Sequence, residues 1–266
     1  EEESQIFIAR LLGANPAMAS KLLMGVELYP FQDLMLRAMF IKNFFLAVCS
    51  RGLSKSFSSA LFVALYAIFN PGVKIGICSA TFRQSRAIFT QIEDFAAGPD
   101  GQFLKDCFTI KPKHQNDAWE MRIGKSKIIA LPLGDGQKIR GYRFNLMLID
   151  ELLLLSEKVV EEVIKPFMAI VAGDPLERKR VEDAQEKLIA EGKMTREDAY
   201  VFPSNKLIGL TSASYEFEYL YQLYKKYKEQ NIFKKDAKDV SHAIFQLSYD
   251  IAPEGLYDKK MVAESK

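Results

Sequence analysis

The sequence predicts an α/β protein with a mainly parallel central sheet flanked by helices. Short apolar runs alternate with helical patterns along most of its 266 residues, the signature of strand–helix–strand units. One run, "FFLAVCS", opens into a polar loop that enters a helix through Lys55-Ser56. Another, "LMLI", ends in Asp150-Glu151. Parallel sheets hold their ligands at the carboxyl ends of the strands, so function is expected at these two ends.

The elements follow in order. Residues 1–28 read as a helical preamble. "YPFQDLMLRAMF" is an amphipathic helix with Pro30 at its first position and a stripe of Leu34, Met35, Ala38 and Met39. "FFLAVCS" is a buried strand, and Ser56 to Phe69 is apolar almost all round, as in a central helix. "NPG" at 70–72 stops that helix. "VKIGICSA" is a second strand and "FRQSRAIFTQIEDFA" an amphipathic helix. "AWEMRI" and "KIIALPL" form a hairpin, and "GDGQKIRGYRF" is a Gly-rich loop. "NLMLID" is a strand, followed by a helix from Ser156, its expected cap. Residues 174–200 are charge-rich and helix-prone, with pairs such as Asp183–Lys187; they read as an inserted helical hairpin broken at Gly192. "KLIGLTSAS" returns to strand, and 215–266 mixes a Tyr- and Lys-rich helix with one more strand, "AIFQLSY".

Composition bounds the function. The chain is 48% hydrophobic and 26% charged, with a formal net charge of +2, so any nucleic-acid contact is local rather than the work of a global field. Cys49, Cys78 and Cys107 have no metal or disulfide spacing. His114 and His242 are far apart, which disfavours a His-built metal site. No apolar run is long enough to span a bilayer, and "EEESQIFIAR" has no signal-peptide pattern. A cytoplasmic location is expected.

The loop "CSRGLSKS" resembles a phosphate loop, G-x-x-x-x-G-K-[ST], with Cys49 and Ser54 in place of the glycines. Lys55 is expected to reach the β- and γ-phosphates and Ser56 to hold Mg²⁺. A chance Lys-Ser at a helix start is the plain alternative. Asp150 at the end of an apolar strand shifts the balance, because an acid there holds Mg²⁺ and the adjacent Glu151 can activate water. Upstream, Tyr29 and Gln32 suit stacking on adenine and reading its edge. "LTSAS" ends a strand with hydroxyl residues able to sense the γ-phosphate. Ser54 is the main departure: if the loop needs φ > 0 there, its Cβ costs about 1 kcal/mol or more, and Ser54→Gly should bind ATP more tightly.

Taken together, "YPFQ", "SRGLSKS", "KIRGYR", "LMLIDE" and "TSAS" resemble, in that order, the motifs of the large terminase subunit of tailed bacteriophages, the DNA-packaging motor. The resemblance implies an ASCE-type P-loop NTPase with ATP and Mg²⁺ as cofactors. By position, it implies that Ser50, Arg51, Gly52, Leu53, Ser54, Lys55, Ser56 and Phe57 wrap the nucleotide beside Tyr29 and Gln32. Ser56 and Asp150 organise the metal, and Glu151 and Lys55 are catalytic. Arg51 contacts the γ-phosphate in cis, and Arg140 is the arginine-finger candidate, an ordinary loop arginine being its alternative. Thr211, Ser212 and Ala213 form the coupling motif. The implied partners are double-stranded DNA, the portal protein and procapsid, the small terminase subunit, and copies of the chain in a ring on the portal; the isolated chain is expected to be a monomer in the host cytoplasm. The expected domains are 29–214 for the ATPase and 215–266 for a linker or lid, with the nuclease domain of the family not expected in this chain. The competing readings are another P-loop DNA translocase of helicase type, and a structural subunit with a decayed loop.

Overall fold

The computed structural model describes residues 2–133, 141–168, 175–212, 218–232 and 241–253. Eight strands form one sheet: β1 (Phe44–Cys49), β2 (Lys74–Ser79), β3 (Phe108–His114), β4 (Trp119–Ile123), β5 (Ser126–Pro132), β6 (Leu146–Asp150), β7 (Lys206–Ser212) and β8 (His242–Leu247). Their order is β3-β4-β5-β2-β6-β7-β1-β8. From β5 to β8 every neighbouring pair is parallel, while β4 runs against β5 and β3 against β4.

Period-two alternation explains why the central strands are apolar throughout. In β6, Leu146 and Leu148 pack into one core and Met147 and Ile149 into another on the opposite face. The first core lies under α3 (Pro30–Ile41), α4 (Lys55–Phe69) and α5 (Phe82–Ala97). The second lies under the helical segment that starts at Glu157 and under α10 (Glu218–Ile232). Helix α4 is buried from Ser58 through Ala67, in agreement with its apolar circumference. The preamble forms α1 (Glu2–Ala14) and α2 (Pro16–Met24), the latter ended by Gly25 at φ 67. No helix among the described residues is long and apolar enough to cross a membrane.

Several elements differ from expectation. The buried stripe of α3 is Gln32, Met35, Leu36 and Met39, whereas Leu34 is 60% exposed. The true face follows i, i+3, i+4, i+7 from Gln32. Strand β3 and the short α6 (Gln102–Asp106) went unpredicted; "FTIKPKH" carries Pro112 and three charged or ionisable side chains because it is an edge strand exposed along much of its length. The segment after Ser156 is not a plain α-helix. It runs as α7 (Glu157–Val159), a π turn over Val160–Ile164, and α8 (Lys165–Phe167). Pro166 is the physical cause: it lacks an N–H and would clash with the carbonyl four residues back, so the ladder widens beside it and Lys165 N–H donates to Val160 O. Ser156 sits at the cap position without a side-chain capping bond. The charged insertion contains one long helix, α9 (Pro175–Ala190), rather than a hairpin. Beyond the left-handed Gly192 comes only a 3₁₀ turn, Arg196–Asp198, closed by Thr195 on Asp198 and clamped by Arg10. Strand β8 joins the main sheet beside β1, so this part of 215–266 extends the same sheet.

Candidate nucleotide site

Register brings the sequence-predicted residues to one edge. Cys49 at the end of β1 is opposite Ser212 at the end of β7, and Ser79 at the end of β2 is opposite Asp150 at the end of β6. Strand β7 therefore lies between the phosphate-loop strand and the acidic strand. At this carboxyl edge a cleft of about 610 Å³ is lined by residues that include Arg51, Ser56, Phe57, Gln84, Glu151 and Ser212.

The loop wraps the N-terminus of α4. Gly52 adopts φ 82, and Ser54, the residue before the helix, adopts φ 52 and ψ 30. Serine thus takes the left-handed conformation that glycine supplies at that place in the usual motif. Ser50 and Leu53 close the turn, Leu53 N–H donating to Ser50 O at 3.4 Å, and the Leu53 side chain is core. The first turn of α4 leaves N–H groups facing outward, a ready anion site. Cys49 is buried, and burial pushes its thiol up to about 11 despite the Lys55 charge nearby, so it is an inert packing residue.

Lys55 is only 8% exposed. Its Nζ lies 3.3 Å from Cys49 O, 3.5 Å from Ser50 O and 3.5 Å from Ser212 Oγ. Glu151 also reaches Ser212: Ser212 Oγ donates to its Oε1 at 2.9 Å and Ser212 N–H to its Oε2 at 3.2 Å. Ser212 accordingly bridges the lysine of β1's loop and the acid of β6. Glu151 adopts φ 51 and ψ 53; it and Ser54 are the non-glycine residues at positive φ among those described. Such outliers cluster where the surrounding structure holds a functional conformation.

Asp150 is 7% exposed and is not among the residues that line the cleft. Its Oδ1 accepts the Glu151 N–H at 3.1 Å. Burial, then the adjacent Glu151 charge, pushes its carboxyl up to about 6, against smaller opposing effects of that hydrogen bond and of Lys55. A buried carboxylate at the carboxyl edge of the sheet is a donor suited to Mg²⁺. This metal takes one or two protein oxygens and completes its shell with phosphates and water. Among the described residues no cluster of three or more His, Cys, Asp or Glu offers a dedicated all-protein cage.

Other predicted residues lie elsewhere. Tyr29 and Gln32 sit at the start of α3, outside the cleft lining. Gln32 Oε1 accepts the Tyr29 N–H at 2.9 Å, capping the helix, and Tyr29 stacks on Phe31. Thr211 is fully buried in β7. Arg140 and Ala213 lie outside the described residues. Sequence reasoning missed Gln84, in the first turn of α5, and its partners Ser79 and Thr81. The only signal was position, just beyond the carboxyl end of a parallel strand.

Residues 46–176 match the family model described as terminase large subunit, T4likevirus-type, N-terminal. No match is found among curated proteins. Among solved structures, the large terminase of bacteriophage HK97 is 15% identical with a TM-score of 0.55, the match covering 92% of this chain and 45% of that one. The ATPase domain of the Thermus phage P74-26 large terminase is 14% identical with a TM-score of 0.49, covering 86% of this chain and 97% of that domain. A large terminase of a thermophilic bacteriophage, in complex with ATP-gamma-S, is 13% identical with a TM-score of 0.48, covering 94% of this chain and 48% of that one. The chain thus spans about half the length of the two longer proteins, and the HK97 likeness establishes the fold. Residues 46–176, which carry both the phosphate loop and the acidic strand, are thus similar to the N-terminal part of terminase large subunits.

Proposed function

We propose that the chain is the ATP-hydrolysing motor region of a viral large terminase, coupling hydrolysis to movement of double-stranded DNA into a procapsid. The observation that carries this reading is the triangle Lys55–Ser212–Glu151, which joins the phosphate loop, the strand between, and the acidic strand at one cleft.

The mechanism follows from what these groups can do. The N–H groups opening α4 and the Lys55 ammonium bind the phosphates, Lys55 exchanging carbonyl and hydroxyl partners for phosphate oxygens. Ser56 and Asp150 would hold Mg²⁺, and the ion would supply charge neutralisation at the phosphates. Glu151 orients and deprotonates the attacking water. It is parked on Ser212, so it must leave the end of β7 before it can act. Departure frees Ser212, which ties readiness for hydrolysis to the coupling segment Thr211, Ser212 and Ala213. Arg51 lines the cleft and, in this reading, meets the γ-phosphate from the same subunit. Tyr29 and Gln32 take the adenine. Arg140 acts on a neighbour's site in a ring seated on the portal, with DNA delivered by the small subunit in the host cytoplasm. An Arg140→Ala subunit should then poison mixed rings; rates proportional to wild-type content would remove that role.

Steady-state hydrolysis tests the core of the reading. Lys55→Ala and Glu151→Ala should each abolish turnover, and Glu151→Ala should still bind nucleotide. Substantial turnover by Glu151→Ala would strip Glu151 of its role.

A further inference from the structure

We infer that Gln84 is a further catalytic residue of the hydrolysis proposed above, its side-chain N–H donating to the terminal phosphate of the bound nucleoside triphosphate. Gln84 lines the same cleft as Lys55, Ser56 and Glu151, but from the β2–α5 side. Its amide has one end fixed. The Thr81 hydroxyl donates to Oε1 at 2.9 Å, and the Ser79 hydroxyl lies 2.7 Å from the same atom. With the oxygen accepting from Thr81, and Ser79 sharing its single proton between this oxygen and Asp150 O, the amide nitrogen is the end left for a ligand, and it has no protein partner among the described residues.

The anchor is itself part of the acidic strand's support. The Ser79 hydroxyl also lies 2.9 Å from Asp150 O, and Ser79 is in register with Asp150. The amide is therefore held in a fixed relation to the residues proposed for metal and water. A rigid neutral donor aimed at the cleft suits a phosphoryl transition state, where charge spreads over the equatorial oxygens and fixed donors stabilise it without reorganisation. A diphosphate lacks the group that such a donor would contact. The inference therefore predicts discrimination between triphosphate and diphosphate, which a helix-capping or packing role would not produce.

The test uses the 266-residue chain, with ATP hydrolysis and the affinities for ATP-gamma-S and ADP measured in parallel. Gln84→Ala, and Gln84→Met as a variant of matched length, should lower kcat by about a hundredfold to a thousandfold, the range for loss of one charge-stabilising donor. Affinity for ATP-gamma-S should fall several-fold while affinity for ADP stays unchanged, which also shows that the variants fold. Thr81→Val should give a smaller loss of the same kind, because one of the two anchors remains. Equal losses for ADP and ATP-gamma-S, or an unchanged kcat, would overturn the role of Gln84 and leave the hydrolase reading standing. A wild-type chain that turns over no ATP would overturn both.

Discussion

Two residues of the site sit in backbone conformations that their side chains disfavour. Ser54 at φ 52 and Glu151 at φ 51 each cost about 1–2 kcal/mol relative to an unstrained residue. The folded loop holds Ser54 in this conformation, so a residue without a Cβ relieves the strain. Ser54→Gly should therefore raise the thermal midpoint by about 2–4 °C, the equivalent of about 1 kcal/mol at this size. Calorimetry reads the shift. Asp150 supplies a pH-dependent counterpart. Its carboxyl is raised from 3.8 to about 6, so between those values the folded chain holds a proton that the unfolded chain has lost. This group's contribution to stability is fully present below about pH 4 and is lost as pH rises through 6. Asp150→Asn should accordingly stabilise the chain by about 1–3 kcal/mol at pH 7.5 and by much less at pH 4, while abolishing turnover. Thermal unfolding at the two pH values checks it.

Among the elements, β7 is central to the account. It begins at buried Lys206, whose Nζ donates to Lys42 O at 2.7 Å, and ends at Ser212 between Lys55 and Glu151. Midway, Gly209 leaves room for Leu152, the residue after Glu151: a Cβ there would lie 2.8 Å from Leu152 Cδ2. Gly209→Ala should push Leu152 and the Glu151 turn outward. The expected result is a kcat loss of about tenfold with ADP affinity retained, and about 1–3 kcal/mol of destabilisation from overpacking. Equal hydrolysis in the variant would show that Glu151 is not held through this contact. The elements also show what the sequence could reveal. Strands β1, β2, β6 and β7 were legible because both faces are covered, so their apolar runs are unbroken. Strand β3 was not, because an exposed edge strand has no such run. The π turn was hidden because Pro166 reads equally as a helix stop. The meeting of Lys55, Ser56 and Glu151 at one cleft was legible from strand ends and spacing. The place of Gln84 was not, because nothing in the sequence marks an amide held by the hydroxyls of Ser79 and Thr81.

At the scale of the molecule, one sheet collects the chemistry at its carboxyl edge, and one strand separates the phosphate loop from the acidic strand. In the proposed motor, β7 is the element that would carry a change at the nucleotide into the sheet. A change at the nucleotide can move the end of a strand that runs through the centre of the sheet and is buried from Lys206 to Ser212. The bridge at Ser212 makes this specific. Ser212→Ala would remove the hydroxyl shared by Lys55 and Glu151, and should weaken the link between nucleotide binding and turnover more than either affinity. The central claim is that Glu151 performs hydrolysis at a site built by the phosphate loop. The most direct measurement compares ATP turnover and ATP-gamma-S binding in the wild-type chain and in Glu151→Gln. The account predicts turnover by the wild type, its loss by at least about a hundredfold in Glu151→Gln, and equal binding of ATP-gamma-S in both. Comparable turnover in the two proteins, or none in the wild type, would contradict it.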